Sequence, residues 1–185
     1  MKNVAIIPAR AGSKRIKGKN IKLFHKQPMI SWVIQLAIKS GFFDKTIVST
    51  DCHKIANLSR SLGAEVPFIR PNSLSDDHTS VIDVVRHALK FFKSKGESYD
   101  WATLIYPTAP LLTKSDLQKA INAPPEYDFS VSVARYSYPI QRALYVDSEA
   151  NTVNMLNKDN FMKRSQDLPI YFHDAGQFIV GKANS

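Results

Sequence analysis

Between Ile6 and Asn20 the chain reads IIPARAGSKRIKGKN, and the last eleven positions carry five basic side chains, Arg10, Lys14, Arg15, Lys17 and Lys19, with no acid among them. Fixed positive charge at that density, directly after an apolar run, is the chemistry of binding a compact polyanion. The small residues Ala9, Ala11, Gly12 and Ser13 let backbone N–H groups approach such a ligand, while Arg10, Lys14 and Lys19 neutralise it. The spacing is not that of the common phosphate loops. Five residues separate Gly12 from Gly18 where G-x-x-x-x-G-K-[ST] has four, Asn20 follows Lys19 where a hydroxyl is required, and no G-x-G-x-x-G is present. The residues describe a triphosphate cradle of another design.

Composition narrows the class of ligand. The 185 residues, 44% hydrophobic, suit one domain with a real core, and the net charge of +9 first suggests nucleic acid. Its distribution argues otherwise: residues 1–43 hold nine Lys or Arg and no Asp or Glu, so the remainder balances at sixteen against sixteen. A local excess fits a pocket better than a stripe that tracks a nucleic-acid backbone. No apolar run approaches the roughly 18 to 20 residues of a membrane helix, and MKNVAIIPAR lacks a signal peptide's apolar stretch, so a soluble cytoplasmic protein without membrane contact is expected. The single cysteine, Cys52, cannot form an internal disulfide and reads as a small residue beginning a helix.

Strand-like runs at 3–8, 45–50, 65–71, 101–107 and 128–135 alternate with helical patterns at 28–39, 51–63, 79–96 and 113–122. Asp51 reads as the cap of the second helix and Thr79 or Ser80 as that of the third. This order predicts an α/β fold, a mostly parallel sheet with helices on both faces. Ligands bind such sheets at the carboxyl ends of strands, where the basic loop, STD, RPNSLSDDHTS and YPTAP should converge. The whole of 1–185 reads as one domain, with an arm or hairpin excursion at about 136–172 and a return strand at QFIVG.

IPARAGSKRIKGKN resembles the amino-terminal signature of the cytidylyltransferases that activate sialic acids and related nine-carbon sugars, and the match extends through IVSTD, RPNSLSDDHTS, YPTAP and SQDLP. DAGQF after SQDLP is most similar to the pseudaminic acid members, since sialic acid enzymes usually carry an Asn-Gly pair there. The resemblance implies a three-layer Rossmann-like nucleotidyltransferase fold, and a reaction in which CTP and a nonulosonic acid give the CMP-sugar and pyrophosphate with Mg²⁺. It implies that Arg10 and Lys19 are catalytic and that Ala11, Gly12, Ser13, Lys14 and Asn20 hold the triphosphate. Arg70, with Thr79 and Ser80, would read cytosine, and Asp77 would organise that loop. For Thr79 and Ser80 simple helix capping is an equal reading, and Asp51 and His78 carry bland readings too.

Sugar binding falls by the same likeness to Tyr106, Thr108, Gln141, Arg164, Gln166 and Gln177, with Arg142 a further candidate. Tyr106 stands where sialic acid enzymes have Gln, and Ser165 where a second Arg often precedes the Gln-Asp pair, which fits a different sugar. Family members usually continue into a segment with two aspartates that hold Mg²⁺, and this sequence stops at GQFIVGKANS. No metal ligand follows for this chain, because Asp51, Asp76, Asp77 and Asp174 lack compelling spacing. The chain reads either as a piece of a longer protein or as a shortened relative that turns over poorly. A homodimer is also implied. Two other readings stay open. One is activation of N-acetylneuraminic, legionaminic or an eight-carbon acid; the other is a non-catalytic nucleotide- or RNA-binding module, whose affinity would fall steeply with salt.

Overall fold

Asn3–Pro8 forms the first strand, β1, and its residues from Asn3 to Ile7 are all buried. An apolar strand closed on both faces belongs inside a sheet covered by helices on each side, and the computed structural model places it there. The structure describes residues 1–123 and 126–184. After β1 come two short strands, β2 (Leu23–Phe24) and β3 (Gln27–Pro28), then helix α1 (Met29–Ser40), β4 (Lys45–Ser49), α2 (His53–Ser61), α3 (Val81–Ser94), β5 (Trp101–Ile105) and α4 (Lys114–Ile121). The chain continues through β6 (Phe129–Arg135), β7 (Leu144–Asp147), β8 (Thr152–Met155) and β9 (Phe172–Lys182).

The main sheet runs β4-β1-β5-β9-β6. Ile6 lies opposite Ile47 and Leu104 in two parallel pairings, and β9 returns antiparallel, with Ile179 opposite Leu104. The period-two alternation of β1 then builds two cores. Ala5 and Ile7 pack with Val33 and Ile34 of α1, Ile55 of α2 and Leu117 of α4. Val4 and Ile6 face the other way, onto Ala88 and Phe92 of α3. The outcome is the expected three-layer α/β fold with a mostly parallel sheet. Because β4 and β5 flank β1 on opposite sides, a crevice opens at the carboxyl end of β1, where such sheets bind ligands.

Several local expectations are corrected. The run 65–71 forms no strand among the described residues, only single bridges from Glu65 to Ile47 and from Ile69 to Thr50. Pro67 lies mid-run, and proline cannot donate to a ladder. Asp51 does not cap α2, whose cap position is Cys52 and makes no side-chain bond; the Asp51 carboxylate is used elsewhere. Ser80, not Thr79, caps α3, its hydroxyl accepting from Asp83 N. Thr113 and Asp116 close a reciprocal capping box on α4.

Two compact units emerge, Met1–Ser132 with the segment from Gly176 onward, and Val133–Ala175. Ser132 stitches β6 to β9 in the first unit: its hydroxyl donates to Phe178 O and accepts from the N–H groups of Gln177 and Phe178. The second unit holds the β7–β8 hairpin, with Val146 opposite Val153, and a backbone bond from Tyr136 N to Tyr171 O. Of the described residues, none belongs to a helix long and apolar enough to cross a membrane.

Candidate functional site

The loop leaving β1 is shaped before any ligand is considered. Ala9 N donates to Ser49 O, Ala11 N to Asp51 Oδ1 at 2.8 Å, and Ser13 N to Ala11 O. Three of the four small residues expected to offer N–H groups therefore spend them within the protein, Ala9 and Ala11 on β4 and the residues after it and Ser13 inside the loop. Gly18 takes a left-handed conformation, φ 63°, and so opens the short helical turn Lys19–Ile21. That turn fixes Lys19, and buries Asn20, whose Nδ2 donates to Arg10 O at 2.9 Å. This bond orients the amide, leaving Asn20 Oδ1 buried without a hydrogen-bond partner among the described residues.

A cleft of about 740 Å³ opens at the carboxyl ends of β1 and β5. Its wall joins Arg10, Ser13, Lys14, Lys19 and Asn20 of the first loop to Arg70, Asp76, Asp77 and Thr79 of the second and to Tyr106 and Thr108 after β5. Three sequence-expected nucleotide residues, Ala11, Gly12 and Ser80, are not among the described residues lining it. Ala11 acts through its bond to Asp51, and Ser80 is taken up by Asp83, to which its hydroxyl also donates at 2.8 Å.

Charge in the cleft is partly paired. Arg10 Nη2 lies 2.7 Å from Asp77 Oδ1, Lys14 Nζ pairs with Asp77 Oδ2, and Arg10 Nη1 donates to Asp76 O at 2.6 Å. Lys14 first and Arg10 second hold the Asp77 carboxyl below the usual carboxylate range. Asp76 is likewise held low, chiefly by the Thr79 hydroxyl and then by the N–H groups of Thr79 and His78. All three donors converge on its Oδ1. Lys19 has no acidic partner among the described residues.

Arg70 is only 3% exposed, yet its side chain makes one hydrogen bond among the described residues, Nε to Ser75 Oγ at 3.2 Å. Burial pushes its guanidinium down from the ordinary range, Asp51 opposing that effect and Arg10 adding to it. A buried guanidinium with donors to spare is expensive unless a partner arrives. His87 of α3 escaped the sequence reading. Its ring meets Phe68 edge-on at 4.6 Å, and burial, then the charge of Arg70, pushes it down, so it stays neutral at physiological pH. Only its place in α3, facing the run that ends in Arg70, hinted at this.

The sugar candidates divide between the units. Tyr106 N, just past the end of β5, donates to Gln177 O of β9 at 2.9 Å, which holds those two residues together in the first unit. Thr108 lines the cleft. In the second unit Gln141 Nε2 donates to Pro169 O, Arg142 Nη1 to Lys163 O, and Arg164 forms a two-point pair with Asp167. Gln166 is exposed.

Magnesium was implied by resemblance, and the described carboxylates do not gather into a site for it. No three His, Cys, Asp or Glu side chains cluster among the described residues. Asp77 has both oxygens on cations, Asp76 Oδ1 is saturated by N–H and O–H donors, and Asp51 Oδ1 is held by Ala11.

Known proteins resemble this chain over nearly its whole length. A family model described as Cytidylyltransferase matches residues 4–180. The chain is 41% identical to the pseudaminic acid cytidylyltransferase of Campylobacter jejuni subsp. jejuni serotype O:2, covering 100% of this chain and 80% of that one. It is 33% identical to the CMP-N,N'-diacetyllegionaminic acid synthase of Legionella pneumophila, covering 94% and 72%. In fold it is similar to a CMP:2-keto-3-deoxy-manno-octonic acid synthetase complexed with CTP, at 18% identity and a TM-score of 0.72, covering 100% of this chain and 75% of that one.

Proposed function

The chain belongs to the cytidylyltransferase family, and from that premise we propose that it transfers CMP from CTP to pseudaminic acid, a nine-carbon 2-keto-3-deoxy sugar acid, for glycosylation of surface glycans or flagellin. The observation that carries this reading is the meeting of Arg10, Lys14 and Lys19 with the buried Arg70 in one cleft at the end of β1. One loop supplies charge for a triphosphate and the other a base-reading group. The departure at Tyr106 from the sialic acid pattern supports pseudaminic acid over N-acetylneuraminic acid.

In the proposed reaction the anomeric hydroxyl attacks the α-phosphorus in line, losing its proton as the new O–P bond forms. The bond to the β-phosphate oxygen breaks, and pyrophosphate leaves with the electron pair. Arg10 and Lys19 stabilise charge on the departing group, Lys14 and Ser13 help to hold it, and Asn20 and the Asp51 tether fix the loop. Arg70 donates to the cytosine carbonyl and ring nitrogen, acceptors it can satisfy in the plane of the base. Tyr106, Thr108 and Gln177 of the first unit are assigned to the sugar. The described carboxylates form no metal cluster, and Mg²⁺ brought in with CTP would take phosphate oxygens and water as ligands, as is common for this ion. A cytoplasmic homodimer completes the proposal. Leu144 and Val146, on one face of β7, are exposed, and an apolar pair of that kind suits a second copy.

Mixing the chain with CTP or UTP, Mg²⁺ and each of pseudaminic, legionaminic and N-acetylneuraminic acids, and weighing the products by mass spectrometry, tests it. CMP-pseudaminic acid is expected. A different CMP-sugar corrects the substrate, and base-blind nucleotide binding without product favours a binding module.

A further inference from the structure

Asp77 sits in the middle of the cations that the cradle reading gives to the triphosphate. Its two oxygens meet Arg10 and Lys14, and Arg10 also reaches the carbonyl of Asp76 beside it. Lys19 stands apart, with no acid on it among the described residues. A carboxylate and a phosphate compete for the same N–H donors, so an anion that engages Arg10 and Lys14 has to displace Asp77. Resting on the CTP reading above, we propose that Asp77 is an internal counter-ion that tunes the polyphosphate site: it yields Arg10 and Lys14 to the triphosphate of CTP, and reclaims them from pyrophosphate to speed that product's release.

The magnitudes suit such a role. The side chains of Arg10 and Asp77 are about one-third exposed and that of Lys14 is 83% exposed. Ion pairs in that setting are weak, so displacing both alters affinity by a few-fold to about tenfold, which a ligand overcomes in every cycle. The carboxyl, held below its usual range, stays ionised throughout the neutral region, so the competition is always present. Position matters as well. Asp77 belongs to the loop that carries Thr79 to the cleft wall, and its release from Arg10 and Lys14 frees that loop to settle on a nucleotide.

Titration calorimetry with inorganic pyrophosphate on the whole chain tests this. Asp77→Asn should bind pyrophosphate about three- to tenfold tighter than wild type, and Asp77→Glu, which keeps the charge, should stay near wild type. In turnover, Asp77→Asn should show correspondingly stronger product inhibition by pyrophosphate. Equal or weaker binding by Asp77→Asn, with Lys19→Ala still weakening it, would overturn the counter-ion role while leaving the cradle standing. Pyrophosphate binding indifferent to Lys19 as well would overturn the cradle reading beneath it. Thermal melts identify any variant whose loss is one of folding; the Asp77→Glu comparison then decides.

Discussion

Ala11 N–H donates to Asp51 Oδ1 at 2.8 Å, so a carboxylate at the end of β4 ties down the loop that leaves β1 across forty residues of sequence. Hydrogen bonds to charged acceptors contribute about 1.5–3 kcal/mol, toward the lower end where solvent reaches them. Asp51→Ala should weaken CTP binding roughly tenfold by calorimetry. Asp51→Asn keeps an acceptor for Ala11 but removes the charge that offsets Arg70, so it should hold triphosphate well and lose part of the preference for CTP over UTP.

Arg70 is assigned the base, and its substitution should show as selectivity. Arg70→Ala is expected to reduce CTP-over-UTP discrimination by about 1–3 kcal/mol, roughly ten- to hundredfold, with a smaller effect on inorganic tripolyphosphate. Lysine lacks the planar fork and should not restore it. Unchanged discrimination in competition binding would remove Arg70 from base reading.

Gly181 lets the β6 edge close on β9. A Cβ built there would stand 2.7 Å from the Phe129 ring. The Phe129 ring is 54% exposed and can turn aside, so Gly181→Ala should destabilise the fold by about 1 kcal/mol in chemical denaturation, the low end of the cost of overpacking. The double variant with Phe129→Ala should recover much of that loss, since the ring is the obstacle. A null effect of Gly181→Ala alone would contradict the close packing.

Acid should act on α4 through its capping box. The Thr113 hydroxyl holds the Asp116 carboxyl below its usual range, so the folded chain binds that proton less readily than the unfolded chain. The stabilisation is complete above the unfolded value of about 4 and is lost as pH falls through the lower folded value. Asp116→Asn should melt lower than wild type near neutrality, by an amount typical of helix caps, about 0.5–2 kcal/mol, and the gap should shrink below about pH 4. Melting temperatures across pH 2.5–7 check this.

The sequence disclosed what is local. Strand β1, the basic loop and the capped helices α3 and α4 follow from short-range pattern, because apolar alternation and cap residues act within a turn or two. The convergence of Arg10 and Tyr106 on one rim followed from strand polarity, while Arg70 reaches it from a run held only by single bridges. What escaped depends on contacts distant in sequence. Asp51 looks like a cap beside α2 and serves Ala11 instead; Asp77 reads as an organiser of its own loop, and its ion pairs with Arg10 and Lys14 of the other loop were not legible. The run 65–71 reads as a strand by composition and is reduced to two bridges by Pro67. Ser80 carried two readings, and the capping one uses its hydroxyl.

The most direct test of the account is the rate of CMP-sugar formation by Lys19→Ala with CTP, Mg²⁺ and pseudaminic acid, beside a melting curve. Lys19 is a cleft cation with no acidic partner among the described residues, and the proposal assigns its charge to the departing pyrophosphate. Transfer should fall about a hundred- to a thousandfold while the melting temperature hardly moves. Near-normal turnover by this variant would contradict the central claim that the basic loop after β1 stabilises the transfer of CMP.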